Sequence, residues 1–197
     1  MRWIDKLKKS VNPQNSLYLW LDYWLLISMK ILLATLGMAL FTMIMPGEGS
    51  KIPAVVVKKL DGTKVNTSTF TNNGKPIIIS FWATWCKPCK KELDAINETY
   101  DELVKETGVK LIAISIDDAR SSGKVVTDVK AKGWEYDVYI DENSDFKRAM
   151  NVNNVPFTFL IDGAGNIVWS HNSYTEGDEE KLFENVRKLA KGESISH

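Results

Sequence analysis

The chain is 197 residues long, and once roughly the first fifty are set aside one domain's worth remains, enough to bury a proper core. Its 25 basic and 25 acidic side chains balance, so nothing steers the surface toward nucleic acid and no nucleic-acid partner is expected. Only two cysteines are present, separated by two residues, which excludes both a disulfide framework and a four-cysteine zinc site by count.

The first element in chain order is apolar. Residues 23–45 carry no charge except Lys30, are long enough to cross a bilayer, and follow Arg2, Lys6, Lys8 and Lys9. Read whole, they predict a hydrophobic helix that anchors the chain with its N-terminus inside. A second reading begins at Met29. Met29 and Lys30 make a minimal basic start, an apolar run follows over 31–45, and Pro46-Gly47-Glu48-Gly49-Ser50 offers small residues for cleavage after Gly49. In that reading residues 1–28 are an over-long start or a cytoplasmic tail. A buried core helix fits neither the charge asymmetry nor the terminal position. Both leading readings predict export to an oxidising compartment, the periplasmic side of the cell envelope. Residues 1–49 are then signal or anchor, and residues 50–197 the folded domain.

Beyond Ser50, strand-like and helix-like patterns alternate, as in a sheet covered by helices on both faces. Residues 52–60 read as an edge strand, and Asp61-Gly62 as a tight turn into 63–70. Residues 77–81, 111–116 and 157–161 are short, nearly continuous apolar runs, which predicts central strands buried on both faces. Between the first two, Leu93, Ile96, Tyr100, Leu103 and Val104 recur at helical spacing, and Gly108 stands where a helix would stop. Asp162-Gly163-Ala164-Gly165-Asn166 predicts a hairpin turn into 167–169. The polar stretch 171–180 reads as a loop, and Leu182, Phe183, Val186, Leu189 and Ala190 share one face of a last helix.

The chemistry lies in Phe81-Trp82-Ala83-Thr84-Trp85-Cys86-Lys87-Pro88-Cys89-Lys90-Lys91-Glu92, between a buried strand and an amphipathic helix. A thiol at a helix N-terminus faces unpaired backbone N–H groups and the positive end of the dipole, which favour the thiolate. Cys86 is thereby nucleophilic. Cys89, three positions on, can attack a mixed disulfide formed at Cys86. Pro88 fits the first turn, where its missing N–H would have been unpaired. A purely structural disulfide over about four residues would contribute roughly 2 kcal/mol, too little to explain the pair. A zinc site would need two more ligands, and only His171 and the final His197 are on offer. Redox exchange is the reading that remains.

On these residues the chain resembles the thioredoxin superfamily, and within it the TlpA and ResA type of envelope reductases, over about residues 52–191. The resemblance implies a thioredoxin-like α/β fold, a central mixed sheet flanked by helices on both faces behind an N-terminal hydrophobic helix. It implies that Cys86 is the exposed attacking thiol and Cys89 the buried resolving one. Val155-Pro156 would carry a cis peptide beside the dithiol, where the Val155 backbone can pair with an extended substrate. No cofactor or metal is expected, the redox-active disulfide Cys86–Cys89 being the electron carrier. Expected partners are client proteins with cysteines or disulfides, apocytochrome c among them, a membrane thiol reductant, and the membrane itself through the N-terminal segment.

Thioredoxin carries a buried aspartate six residues before its first cysteine, where this chain has Ser80. Glu92, three beyond Cys89, matches instead a glutamate near the dithiol in the ResA type, and is expected to exchange a proton with raised pKa; a first-turn glutamate also favours the dipole. Trp82 and Trp85 are expected to pack and to contact substrate, with Lys87, Pro88, Val155 and Pro156 completing the substrate-binding set. Lys87 adds a charge that favours the thiolate, screened by solvent. Asp117 and Asp118 read as solvated loop charge, and His171 has no evident partner. An oxidase of the same fold is the rival direction. A peroxidase of the alkyl-hydroperoxide type would need a threonine shortly before its cysteine and no neighbouring one, and a non-catalytic module would be expected to have lost a cysteine.

Overall fold

The computed structural model describes residues 50–195, so the apolar stretch 23–45, and with it the signal or anchor reading of residues 1–49, lies outside the described residues. Strands β1 (Val56–Lys59) and β2 (Lys64–Asn66) are followed by a 3-10 turn (Thr67–Thr69), β3 (Ile77–Trp82), helix α1 (Lys87–Thr107), β4 (Lys110–Ser115) and α2 (Ser122–Lys132). Then come β5 (Asp137–Ile140), α3 (Asp145–Ala149), β6 (Phe157–Ile161), β7 (Ile167–Asn172) and α4 (Asp178–Ala190). The three apolar runs form the middle of one mixed sheet of order β2-β1-β5-β4-β3-β6-β7. Strands β3, β4 and β5 are parallel, and the other pairs antiparallel.

Successive side chains of a strand point to opposite faces, and β3 fills both. Ile78 and Trp82 join Leu93 and Ile96 of α1, Val125 of α2 and Leu182 of α4 in one core layer. Ile77, Ile79 and Phe81 join Phe70 and Phe146, from the 3-10 region and α3, in the other. This is a thioredoxin-like arrangement. Helix α1 ends where expected, at Gly108, whose φ of 68° is left-handed and whose N–H caps the Val104 carbonyl.

Three expectations are corrected. The strand predicted over 52–60 is second in the sheet; the true edge is the three-residue β2, after which Asn66 caps the 3-10 turn through Ser68 N–H. The stretch 171–180 is not all loop. Pairing with β6 (Thr158 with His171, Phe157 with Asn172) carries β7 through two polar residues, and α4 starts at Asp178 with three first-turn acids. Elements α2, β5 and α3 drew no assignment from sequence, because α2 buries only Val125 and Val129 of its eleven residues.

The topology gathers three chain segments. Parallel β3 and β4 end on the same side, and antiparallel β6 begins there, so the loop after β3, the loop after β4 and the approach to β6 meet at one end of the sheet. Among the described residues no helix is long and apolar enough to cross a membrane.

Candidate active site

At that end β3 gives way to Ala83, Thr84 and Trp85, and Cys86 takes the extended N-cap conformation that starts α1. Its Sγ accepts the Cys89 N–H at 3.3 Å, and its own N–H bonds to the Ala83 carbonyl at 3.0 Å. Sulfur thus fills the place that a serine or aspartate oxygen occupies in an ordinary cap. When the pair is reduced, the same N–H and the helix dipole favour a Cys86 thiolate. Pro88 sits in the first turn, as its missing donor allows. Cys86 and Cys89 form a disulfide, with Cys86 5% exposed and Cys89 0%, so only Cys86 touches the rim.

The other site residues fall on different sides of this junction. Trp82 is wholly buried, its ring edge-on to Trp134 at 5.0 Å; it packs and has no surface for a substrate. Trp85 is 67% exposed. Lys87 and Pro88 are also exposed. Val155-Pro156 is cis, with Pro156 buried and Val155 half-buried just before the first ladder pair, Phe157 with Phe81.

Glu92 is 4% exposed, beneath the dithiol on α1. Residues three apart on a helix are neighbours, their Cβ atoms about 5–6 Å apart, so Glu92 lies alongside Cys89. Thr158 donates to its Oε1 at 2.7 Å and Ser80 to its Oε2 at 3.4 Å. Ser80 and Thr158 are directly paired across β3 and β6, so two buried hydroxyls from adjacent strands converge on one carboxyl. Strand β3 itself brings Ser80 here, and the buried carboxyl comes from helix α1. Burial pushes the Glu92 carboxyl up to about 7 against the pull of those hydrogen bonds, and the Asp178 and Glu179 carboxylates of α4 add to the rise.

Asp117 corrects the sequence reading. It is 2% exposed, and only Asp118 is solvated. Its Oδ2 accepts the Thr84 N–H at 2.8 Å and the Ser115 hydroxyl at 2.8 Å, and its Oδ1 the Thr84 hydroxyl at 2.7 Å. The carboxylate after β4 therefore clamps the loop that presents Cys86. The signal that could have found it is position, since groups at the carboxyl end of a parallel strand face the site end of such sheets. His171 also has partners: its ring stacks on Trp169 at 5.7 Å and its Nε2 lies 3.4 Å from Asp178 Oδ2. Among the described residues no cluster of three or more histidine, cysteine or acidic side chains could hold a metal.

Comparison with known proteins agrees with this geometry. Residues 49–170 match the family described as AhpC/TSA. A thiol-disulfide oxidoreductase ResA from Bacillus thuringiensis subsp. konkukian is 34% identical over 141 residues, 72% of this chain and 78% of that one. The solution structure of a thioredoxin-like protein from Porphyromonas gingivalis shares 50% identity, with a TM-score of 0.66 over 74% of this chain and 95% of that one. A thiol:disulfide interchange protein DsbE from Chlorobium tepidum, at 24% identity and TM-score 0.64 over 74% and 99%, shares the fold.

Proposed function

Because this chain belongs to the AhpC/TSA family and is a thiol-disulfide oxidoreductase of the thioredoxin-like fold, we propose that it reduces disulfides of envelope client proteins, apocytochrome c being one such client. The observation that carries this reading is the Cys86 cap: one sulfur at the rim, held by the Cys89 N–H, over a buried partner sulfur. The Cys86 thiolate attacks a client disulfide, forming the mixed S–S bond and releasing one client thiolate, which takes up a proton. Cys89 then gives its proton to Glu92, and its thiolate attacks the Cys86 sulfur. That step breaks the mixed disulfide, releases the second client cysteine as a thiolate, which takes up a proton as the first did, and leaves Cys86–Cys89 oxidised, two electrons having passed to the client. A group that titrates near 7 exchanges protons in either direction at neutral pH. The backbone at Val155 pairs with the extended client beside its cysteine. A membrane thiol reductant restores the dithiol, and residues 1–49 deliver the domain to the periplasmic side.

Incubation with insulin and dithiothreitol, followed by the redox potential of the purified protein, tests the direction. Reduction requires a potential toward that of thioredoxin, about −270 mV; one toward DsbA, about −120 mV, makes the protein an oxidase. N-terminal sequencing of the envelope fraction tests delivery. A start near Ser50 means a cleaved signal, residues before Lys30 an anchor, and a full chain soluble in the cytoplasm would overturn export.

A further inference from the structure

Beside the dithiol the surface sinks into a groove of about 340 Å³, walled by Thr84 and Trp85 of the redox loop, Lys90 of α1, and Gly123, Lys124 and Asp128 of α2. Its volume is at the small end of ligand sites, about 300–1,000 Å³, room for side chains and not for a large cofactor. Trp85 offers it an exposed ring immediately before Cys86. At Gly123 a Cβ would meet nothing within 4 Å, so the missing side chain keeps the floor open.

The groove adjoins the exchange site, because Thr84 and Trp85 in its wall lead directly into Cys86. In the sheet β4 and β6 flank β3 on opposite sides. The Val155-Pro156 step leads into β6, whereas α2 follows β4, so a polypeptide that passes Val155 and crosses Cys86 arrives at the groove. Its charge has a sign. Lys90 is paired with Asp128 at 3.3 Å, and Lys124 has no ion-pair partner among the described residues. A second groove, about 260 Å³, flanks α1 on its α4 side with the opposite balance, Lys91 against Asp94, Glu98, Glu176 and Glu179, and neither the redox loop nor a cysteine lines it.

We propose that the Trp85 groove docks the client segment next to the reactive cysteine and selects segments bearing a carboxylate there. Lys124 receives the carboxylate, and the Trp85 ring and the Gly123 floor take the apolar part of the chain. This specificity rests on the client-exchange reading above.

Reduced full-length protein in detergent is given synthetic peptides whose single cysteine is pre-activated as a pyridyl disulfide, flanked on both sides by glutamate, glutamine or lysine. Thiopyridone release gives a second-order rate constant, divided in each case by that for dithiothreitol to remove intrinsic reactivity. The glutamate peptide reacts about two- to fivefold faster than the lysine peptide, the range of one exposed ion pair, and the preference shrinks as salt is raised. Lys124→Glu reverses the order; the new acid lies in the first turn of α2, where the dipole tolerates it. Gly123→Leu fills the floor and slows every peptide relative to dithiothreitol. Lys105→Glu makes the same charge change at the far end of α1, roughly 28 Å away, and keeps the parent's preference. A Lys124→Glu protein that still prefers glutamate overturns the groove, as does a Lys105→Glu protein that reverses equally. A parent inert toward all three peptides overturns the exchange reading, and the groove with it.

Discussion

Asp117 and Glu92 are both almost wholly buried at the dithiol end of the sheet, 2% and 4% exposed, yet they are held in different ways. Asp117 receives a backbone N–H and two hydroxyls, and two of those three donors belong to Thr84, so its carboxylate fixes the loop that ends at Cys86. Among the described residues Glu92 receives only the hydroxyls of Ser80 and Thr158, one on each oxygen, and its carboxyl is raised to about 7. A backbone donor cannot turn away and needs an acceptor, which makes the first carboxylate a clamp. Hydroxyls can rotate to donate or accept, so the second site can hold its carboxyl with or without the proton. The charges around Glu92 come from Asp178 and Glu179 of α4, and the His171 ring of β7 lies beside Asp178.

The largest expected effect breaks the clamp. Asp117→Ala leaves the Thr84 N–H and two hydroxyls without their buried acceptor and should cost about 4 kcal/mol of stability, read by denaturant unfolding. Asp117→Asn, which keeps an acceptor oxygen, should cost less. If both variants unfold like the parent, Asp117 does not hold the loop.

Next in size is Glu92→Gln, which sharpens the contrast through pH. The folded chain keeps the Glu92 proton up to about pH 7, and the unfolded chain releases it near 4.5. Unfolding between those values therefore releases a proton. Stability from this group is fully present below about pH 4.5, is lost as pH rises through about 7, and stays low above. Glu92→Gln should match the parent near pH 4 and exceed it by up to about 3 kcal/mol above pH 7. The same variant should lower the apparent Cys86 pKa and slow client reduction at neutral pH. A stability difference independent of pH would mean that Glu92 holds no anomalous proton.

The smallest effect is at Thr158→Val, which removes the shorter hydrogen bond to Glu92. It should cost about 1 kcal/mol and move the Glu92 midpoint, followed by its side-chain NMR shift, above that of the parent. A midpoint that falls would contradict the assigned direction of that bond.

The reactive half of the site is legible in sequence because its code is local. A buried run, two cysteines one helical turn apart with Pro88 between them, and apolar residues at helical spacing up to Gly108 are all neighbours in the chain. The cis step at Val155-Pro156 came from family resemblance alone. What could not be read depends on partners brought by the sheet. The donors to Asp117 at Thr84 are 33 residues away, and those to Glu92 lie 12 and 66 residues away. Trp82 and Trp85 look alike as letters. The first continues the buried run of β3 and the second lies beyond its end, which only the strand's length decides. His171 joined β7 through pairing that its polar neighbours do not announce.

The central claim is that Cys86 attacks and Cys89 resolves, and trapping tests it most directly. Cys89→Ser and Cys86→Ser proteins are expressed alongside their native clients, quenched in acid, and compared for mixed disulfides on non-reducing gels. Cys89→Ser should accumulate client adducts and Cys86→Ser few, because only the Cys86 sulfur reaches the rim. Equal adducts from both variants, or more from Cys86→Ser, would contradict the account.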